Sequence, residues 1–198
     1  MDSLKPFCKG ENWVEVTGYL NIKTTRNQGF KKLTIIVMLS ALGGITSVII
    51  GYTGSLFSSI FPISFVLSQG LSGLHVFWLI LSKKLVERKV SGTMTGALKG
   101  LVELFLSSHL GIFVFLVSLI EGVVVDLTFI VFRKWENLSI YIAGGFSSAS
   151  NIFVLQTLLL PELPLYIIIL MYMASFASGS LFGGYLVKRV FDVIPANF

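Results

Sequence analysis

Lys99 and Glu103 stand four residues apart inside an apolar run, "GALKGLVELFL" from Gly96 to Leu106. On insertion scales a charged group in hydrocarbon costs roughly 2.5–3.5 kcal/mol, so such residues persist where they pair or bind. Residues four apart share a helical face, and Thr95 extends that face into a polar stripe. Glu103 lies about 6 Å beyond Lys99 along the axis at 1.5 Å per residue. Glu121 occupies a similar depth in the next apolar run, which follows a short connection, "SSHLG", carrying His109. Ser147, Ser148 and Asn151 are helically adjacent in a later run, and Gln69 belongs to an earlier one. Asp126, five residues after Glu121, falls on another face and is expected to pair structurally or to meet a partner.

Within the apolar runs one cation, Lys99, is set against three carboxylates, Glu103, Glu121 and Asp126. The surplus must be protonated, hydrated or met by a ligand. The expected substrate-binding set is therefore Glu103, Glu121 and Asn151, with Lys99, His109 and Gln69 beside them. A small cationic or hydrogen-bond-rich solute suits it, with Tyr52, Phe57, Phe61 and Tyr166 available for stacking. Simpler roles stand next to these. Lys99 and Glu103 can neutralise one another, His109 can be an interfacial loop residue, and Asn151 and Gln69 can be interhelical hydrogen-bonding groups.

The elements that position these residues follow from composition. The chain has 198 residues, 54% hydrophobic and 13% charged, with a mean hydropathy of +0.85. Soluble domains carry about a quarter charged residues, so this is an integral membrane protein. Six stretches approach the roughly 20 residues that cross a bilayer as helix: Leu33–Gly51, Ile60–Leu81, Gly92–Leu106, Ile112–Phe132, Leu138–Leu160 and Leu165–Val187. The expected fold is an all-α transmembrane bundle over residues 31–198, preceded by a cytoplasmic tail, 1–30, with a short interfacial piece around Trp13–Ile22.

Basic residues set the orientation. Lys5, Lys9, Lys23, Arg26, Lys31 and Lys32 precede the first span. Lys83, Lys84, Arg88 and Lys89 follow the second span, Arg133 and Lys134 the fourth, and Lys188 and Arg189 the sixth. The intervening connections carry none, which places both termini in the cytoplasm. The basic pI reports topology, and a nucleic-acid partner is not expected. Cys8, the single cysteine, precludes an internal disulfide, and neither metal-ligand spacing nor a cofactor motif is found.

Small residues recur every four positions in the first span, at Gly43 and Ser47 and at Ser40 and Gly44. Such faces let helices approach closely, and this one is expected to dock another membrane subunit. Ser175, Gly179 and Gly183 in the last span are expected to pack within the bundle. The chain lacks a G-x-x-x-x-G-K-[ST] phosphate loop, H-E-x-x-H and G-x-S-x-G. No nucleophile is placed with a base, so an enzyme is not expected.

The run "KGLVELFLSSHLGIFVFLVSLIEGVVVDLTFIVFRK", Lys99 to Lys134, resembles the substrate-binding S components of energy-coupling-factor (ECF) vitamin transporters. It is most similar to the YkoE-like branch associated with thiamine and its hydroxymethylpyrimidine precursor. The resemblance rests on Val102-Glu103, the loop Ser107–Gly111, Glu121-Gly122 and Asp126. It extends through "GGFSSASNIF" and "SGSLFGGYLVKRV". Lys99 departs from that branch, where a small residue is usual. The resemblance implies vitamin capture from outside, a transmembrane coupling subunit, two cytoplasmic ATPases, and toppling of the S component to carry the ligand inward. The alternatives are a small proton-coupled carrier using Lys99, Glu103 and Glu121 as a relay, and a membrane assembly factor without substrate.

Overall fold

The computed structural model describes residues 13–60, 69–106, 111–158 and 164–193, and every element among them is helical. Two compact units are distinguished, residues 1–34 and 35–198. Helix α1 spans Trp13–Ile60, 48 residues. The stretch read as a tail with a short interfacial piece is thus helical from Trp13 onward. No proline lies between Pro6 and Pro62, so nothing removes a donor from the ladder.

Helix α2 covers Gly73–Val86, α3 Ser91–Leu106, α4 Ile112–Val131 and α5 Glu136–Leu158. Helix α6, Leu165–Ser178, continues through a π-helical stretch, Gly179–Leu186, into α7, Val187–Val193. Among the described residues, four segments are long and apolar enough to cross a membrane: Gly29–Gly54, Ile112–Val131, Asn137–Thr157 and Leu165–Val193. They correspond to the first, fourth, fifth and sixth expected spans. The third is a helix of only 16 residues, roughly 24 Å at 1.5 Å per residue. For the second, residues 61–68 lie outside the described residues, and the described helix runs past Leu81 to Val86. Lys83 and Lys84 therefore occupy its last turn instead of a following loop. Glu87 ends it in the left-handed region at φ 53°, its N–H donating to the Lys83 carbonyl at 3.1 Å.

Leu39, Val76, Leu79, Ile80, Val125, Ile140, Ala143 and Val187 form a shared core contributed by α1, α2, α4, α5 and α7. Large apolar side chains such as Ile45, Leu127, Phe153 and Met173 point outward, as lipid-facing residues do.

Within this chain, the small-residue face of α1 lies against α2 and α3. Ser40 is buried, and its hydroxyl points to the carbonyls of Ile36 at 2.7 Å and Thr95 at 3.2 Å. A Cβ on Gly43 would lie 3.1 Å from Trp78 Cβ, and one on Gly44 2.6 Å from Val102 Cγ1. Ser47 is half-buried at the edge of this face. The spacing marks a close-packing surface, and α2 and α3 of the same chain lie against it at Gly43 and Gly44. In the last helical stretch the small residues also pack internally, as expected: the backbones of Gly179 and Gly144 meet directly.

Helices α3 and α4 also cross at close range. Gly92, Gly96 and Gly100 repeat every four residues, and a Cβ at Gly96 would strike the Ser118 carbonyl and come within 3.1 Å of the Gly122 Cα. Gly96→Val should destabilise the folded protein by about 1–3 kcal/mol or more, since the obstructing atoms are backbone. Its melting temperature in detergent should drop well below wild type, and an unchanged value would contradict this crossing.

Candidate functional site

The glycine ridge of α3 brings its polar stripe against α4. Lys99 and Glu103 each expose 1% of their surface and Glu121 none; Glu121 sits at the middle of its 20-residue span. The Lys99 Nζ lies 2.7 Å from Glu103 Oε1 and 3.5 Å from Glu121 Oε2. It also donates to the Ser118 hydroxyl at 2.8 Å, and that hydroxyl donates in turn to Glu103 Oε2. His75 of α2 closes the far side, with its Nε2 2.9 Å from Glu121 Oε1. Neither Glu103 Oε1 nor Glu121 Oε2 has a hydrogen bond of good geometry. Their contacts with Lys99 are ionic, and the one to Glu121 is the looser.

Asp126 forms a separate cluster, in the structural role expected of it. Its Oδ1 lies 2.6 Å from Lys83 Nζ and accepts the Gly92 N–H at 3.0 Å. Its Oδ2 accepts the Thr93 N–H at 2.7 Å and the Thr93 hydroxyl at 2.6 Å. The carboxylate thus caps the N-terminus of α3 from a neighbouring helix, where free amides and the helix dipole favour an anion. Lys83 uses its other donors on the Arg88 and Lys89 carbonyls, both at 2.7 Å, and so pins the α2–α3 loop.

A third, uncharged cluster joins α5 and α6. The Ser148 hydroxyl lies 2.7 Å from those of both Ser72 and Ser175. Ser72 also points to the Gln69 carbonyl at 2.7 Å, and Ser175 to the Ser148 carbonyl at 2.8 Å. Nearby in sequence, the Gln69 side chain is buried, with no hydrogen-bond partner for Oε1. Asn151 is half-buried one turn beyond Ser147 and Ser148, and the Ser147 hydroxyl donates to the Glu121 carbonyl at 3.2 Å.

Of the six expected substrate-binding residues, the structure thus brings together Lys99, Glu103 and Glu121. Gln69 and Asn151 lie outside that ion-pair cluster, and His109 falls outside the described residues. Tyr52 and Tyr166 are exposed, and the side chains of Phe57 and Phe61 also fall outside the described residues. The charge balance is corrected in two ways. Lys83, read as a loop cation, is buried and neutralises Asp126. His75, within "GLHVFWLI", was overlooked, although an ionisable residue in an apolar run is itself a pointer to function. With Lys83 neutralising Asp126, the surplus of buried negative charge is one, not two.

Residues 31–150 match the family described as "ABC-type cobalt transport system, permease component". The chain belongs to this family. It is a multi-pass membrane transport component and not an enzyme. Its fold is similar to that in a structure titled "Crystal structure of an S-component of ECF transporter", with a TM-score of 0.74 over 82% of this chain and 83% of that one, at 18% identity. No curated protein matches the chain.

For this permease component, Lys83→Met should leave Asp126 buried without its cation and destabilise by about 3–5 kcal/mol. Adding Asp126→Asn should recover part of that loss. Denaturant unfolding in detergent measures both, and equal stability of Lys83→Met and wild type would show the pair to be dispensable.

Proposed function

We propose that the chain is the substrate-capture S component of an ECF-type importer, with both termini in the cytoplasm. It binds a small vitamin or precursor of the thiamine/hydroxymethylpyrimidine class from the outer side. A transmembrane coupling subunit and two cytoplasmic ATPases would complete the transporter. Family membership and the S-component-like fold support the general role. The observation that carries the substrate class is the mid-membrane cluster in which Glu103 and Glu121 share a single ammonium.

In this proposal a cationic or N–H-rich ring takes over the looser Lys99 contact at Glu121 Oε2, which has no hydrogen bond of its own. Lys99 stays with Glu103 on the shared face and orients it. Asn151 and Gln69 supply amide groups for a heterocycle, and His109 lies in the connection between α3 and α4. The family description mentions cobalt, but among the described residues no three His, Cys, Asp or Glu side chains converge to hold a metal ion. An organic solute is therefore favoured.

Purified protein should bind radiolabelled thiamine or hydroxymethylpyrimidine saturably, without ATP. Glu121→Gln should weaken binding about 10- to 100-fold, matching the 1.5–3 kcal/mol of a hydrogen bond to a charged group, while expression is preserved. Binding of Co²⁺ with no binding of either pyrimidine would overturn the substrate class. Uptake that needs a proton gradient and no ATPase would overturn the S-component role.

A further inference from the structure

The buried cluster of His75, Lys99, Glu103 and Glu121 does not balance as conventional charges. With a neutral imidazole, one ammonium faces two carboxylates, leaving one negative charge among side chains that are almost wholly buried. An uncompensated charge at such a site costs several kcal/mol. Among the described residues, the groups packed around it offer no second cation. Helix α1 brings Gly43 alongside Lys99, α5 brings the Ser147 hydroxyl to the Glu121 carbonyl, and α4 brings Ser118. Lys83, the other buried cation on α2, is engaged by Asp126 and two carbonyls.

We infer that the ligand-free cluster stores one exchangeable proton, shared across the His75 Nε2–Glu121 Oε1 contact, and that a solute cation reaching Glu121 expels it. With that proton the cluster is neutral. A cation arriving at Glu121 restores one positive charge, and the stored proton becomes surplus and leaves to water. The exchange is one cation in and one proton out, with no covalent bond to a heavy atom made or broken. Apparent affinity for a cation then rises with pH, by about tenfold per unit while the proton is bound; a neutral solute shows no such rise. Storage of the proton stands on the geometry alone, whereas its expulsion rests on the substrate class proposed above.

Storage is tested without ligand. The chain has two histidines, so ¹⁵N-histidine NMR on the full-length His109→Gln protein reports His75 alone, and infrared spectroscopy reports a protonated carboxyl. At pH 7.5 one of the two signatures, imidazolium or carboxylic acid, should be present. Glu103→Gln removes a negative charge without touching His75, yet it should abolish that signature, as should Glu121→Gln. A merely structural hydrogen bond between His75 and Glu121 would not respond to Glu103. A neutral imidazole with no protonated carboxyl in the otherwise unmutated cluster would overturn the inference, as would a signature that survives Glu103→Gln in a protein of wild-type melting temperature. Expulsion is tested by calorimetry with thiamine, whose thiazolium is a fixed cation, in two buffers of different ionisation enthalpy. About one proton should be released per thiamine bound, and binding with no release overturns expulsion. No binding at all overturns the proposed substrate class and leaves the spectroscopic result standing.

Discussion

One constraint runs through this molecule: charge placed at membrane depth has to be closed by partners from other helices. Lys99 cannot reach water. Its ammonium is distributed over Glu103 on its own helix and over Ser118 and Glu121 on the next. Removing Lys99 would leave two carboxylates without their cation in a medium of low polarity, where a broken pair costs far more than the intact pair contributes. The cluster therefore ties α2, α3 and α4 to one relative placement.

That placement depends on glycine. The polar stripe of α3 meets Ser118 and Glu121 only because Gly92, Gly96 and Gly100 let the α4 backbone approach. Hydrocarbon supplies no hydrophobic drive between helices, so close van der Waals contact and interhelical hydrogen bonds do that work. The same logic joins α5 to the π-helical stretch through Gly144 and Gly179, with the Ser72–Ser148–Ser175 hydroxyls closing the neighbouring gap. Asp126 applies the rule at the helix end. It neutralises Lys83 and caps α3 in one contact set, coupling the α2–α3 loop to the body of the bundle.

Under the proposed function, ion pairing and capture of a cation would be compatible uses of one cluster. Carboxylates satisfied by an internal ammonium and a proton would be stable in the empty site. The looser contact could still be exchanged for a ligand of the same charge.

Much of this was legible in the residues themselves. Hydropathy and length determined a helical membrane protein, because backbone groups in lipid must be satisfied within each helix. The i,i+4 spacing of Lys99 and Glu103 determined their pairing, and the five-residue offset of Asp126 from Glu121 determined its separate role. Tertiary structure alone decided which helix covers which face. The Ser40–Gly44 surface marks close packing in the sequence, but nothing local says whether the neighbour is another subunit or, as found, α2 and α3 of the same chain. Nor could the sequence show that α2 runs on to Val86 and buries Lys83, or that His75 meets Glu121 across 46 residues. Those contacts depend on how helices rotate and approach in three dimensions, and spacing along one helix carries no record of that.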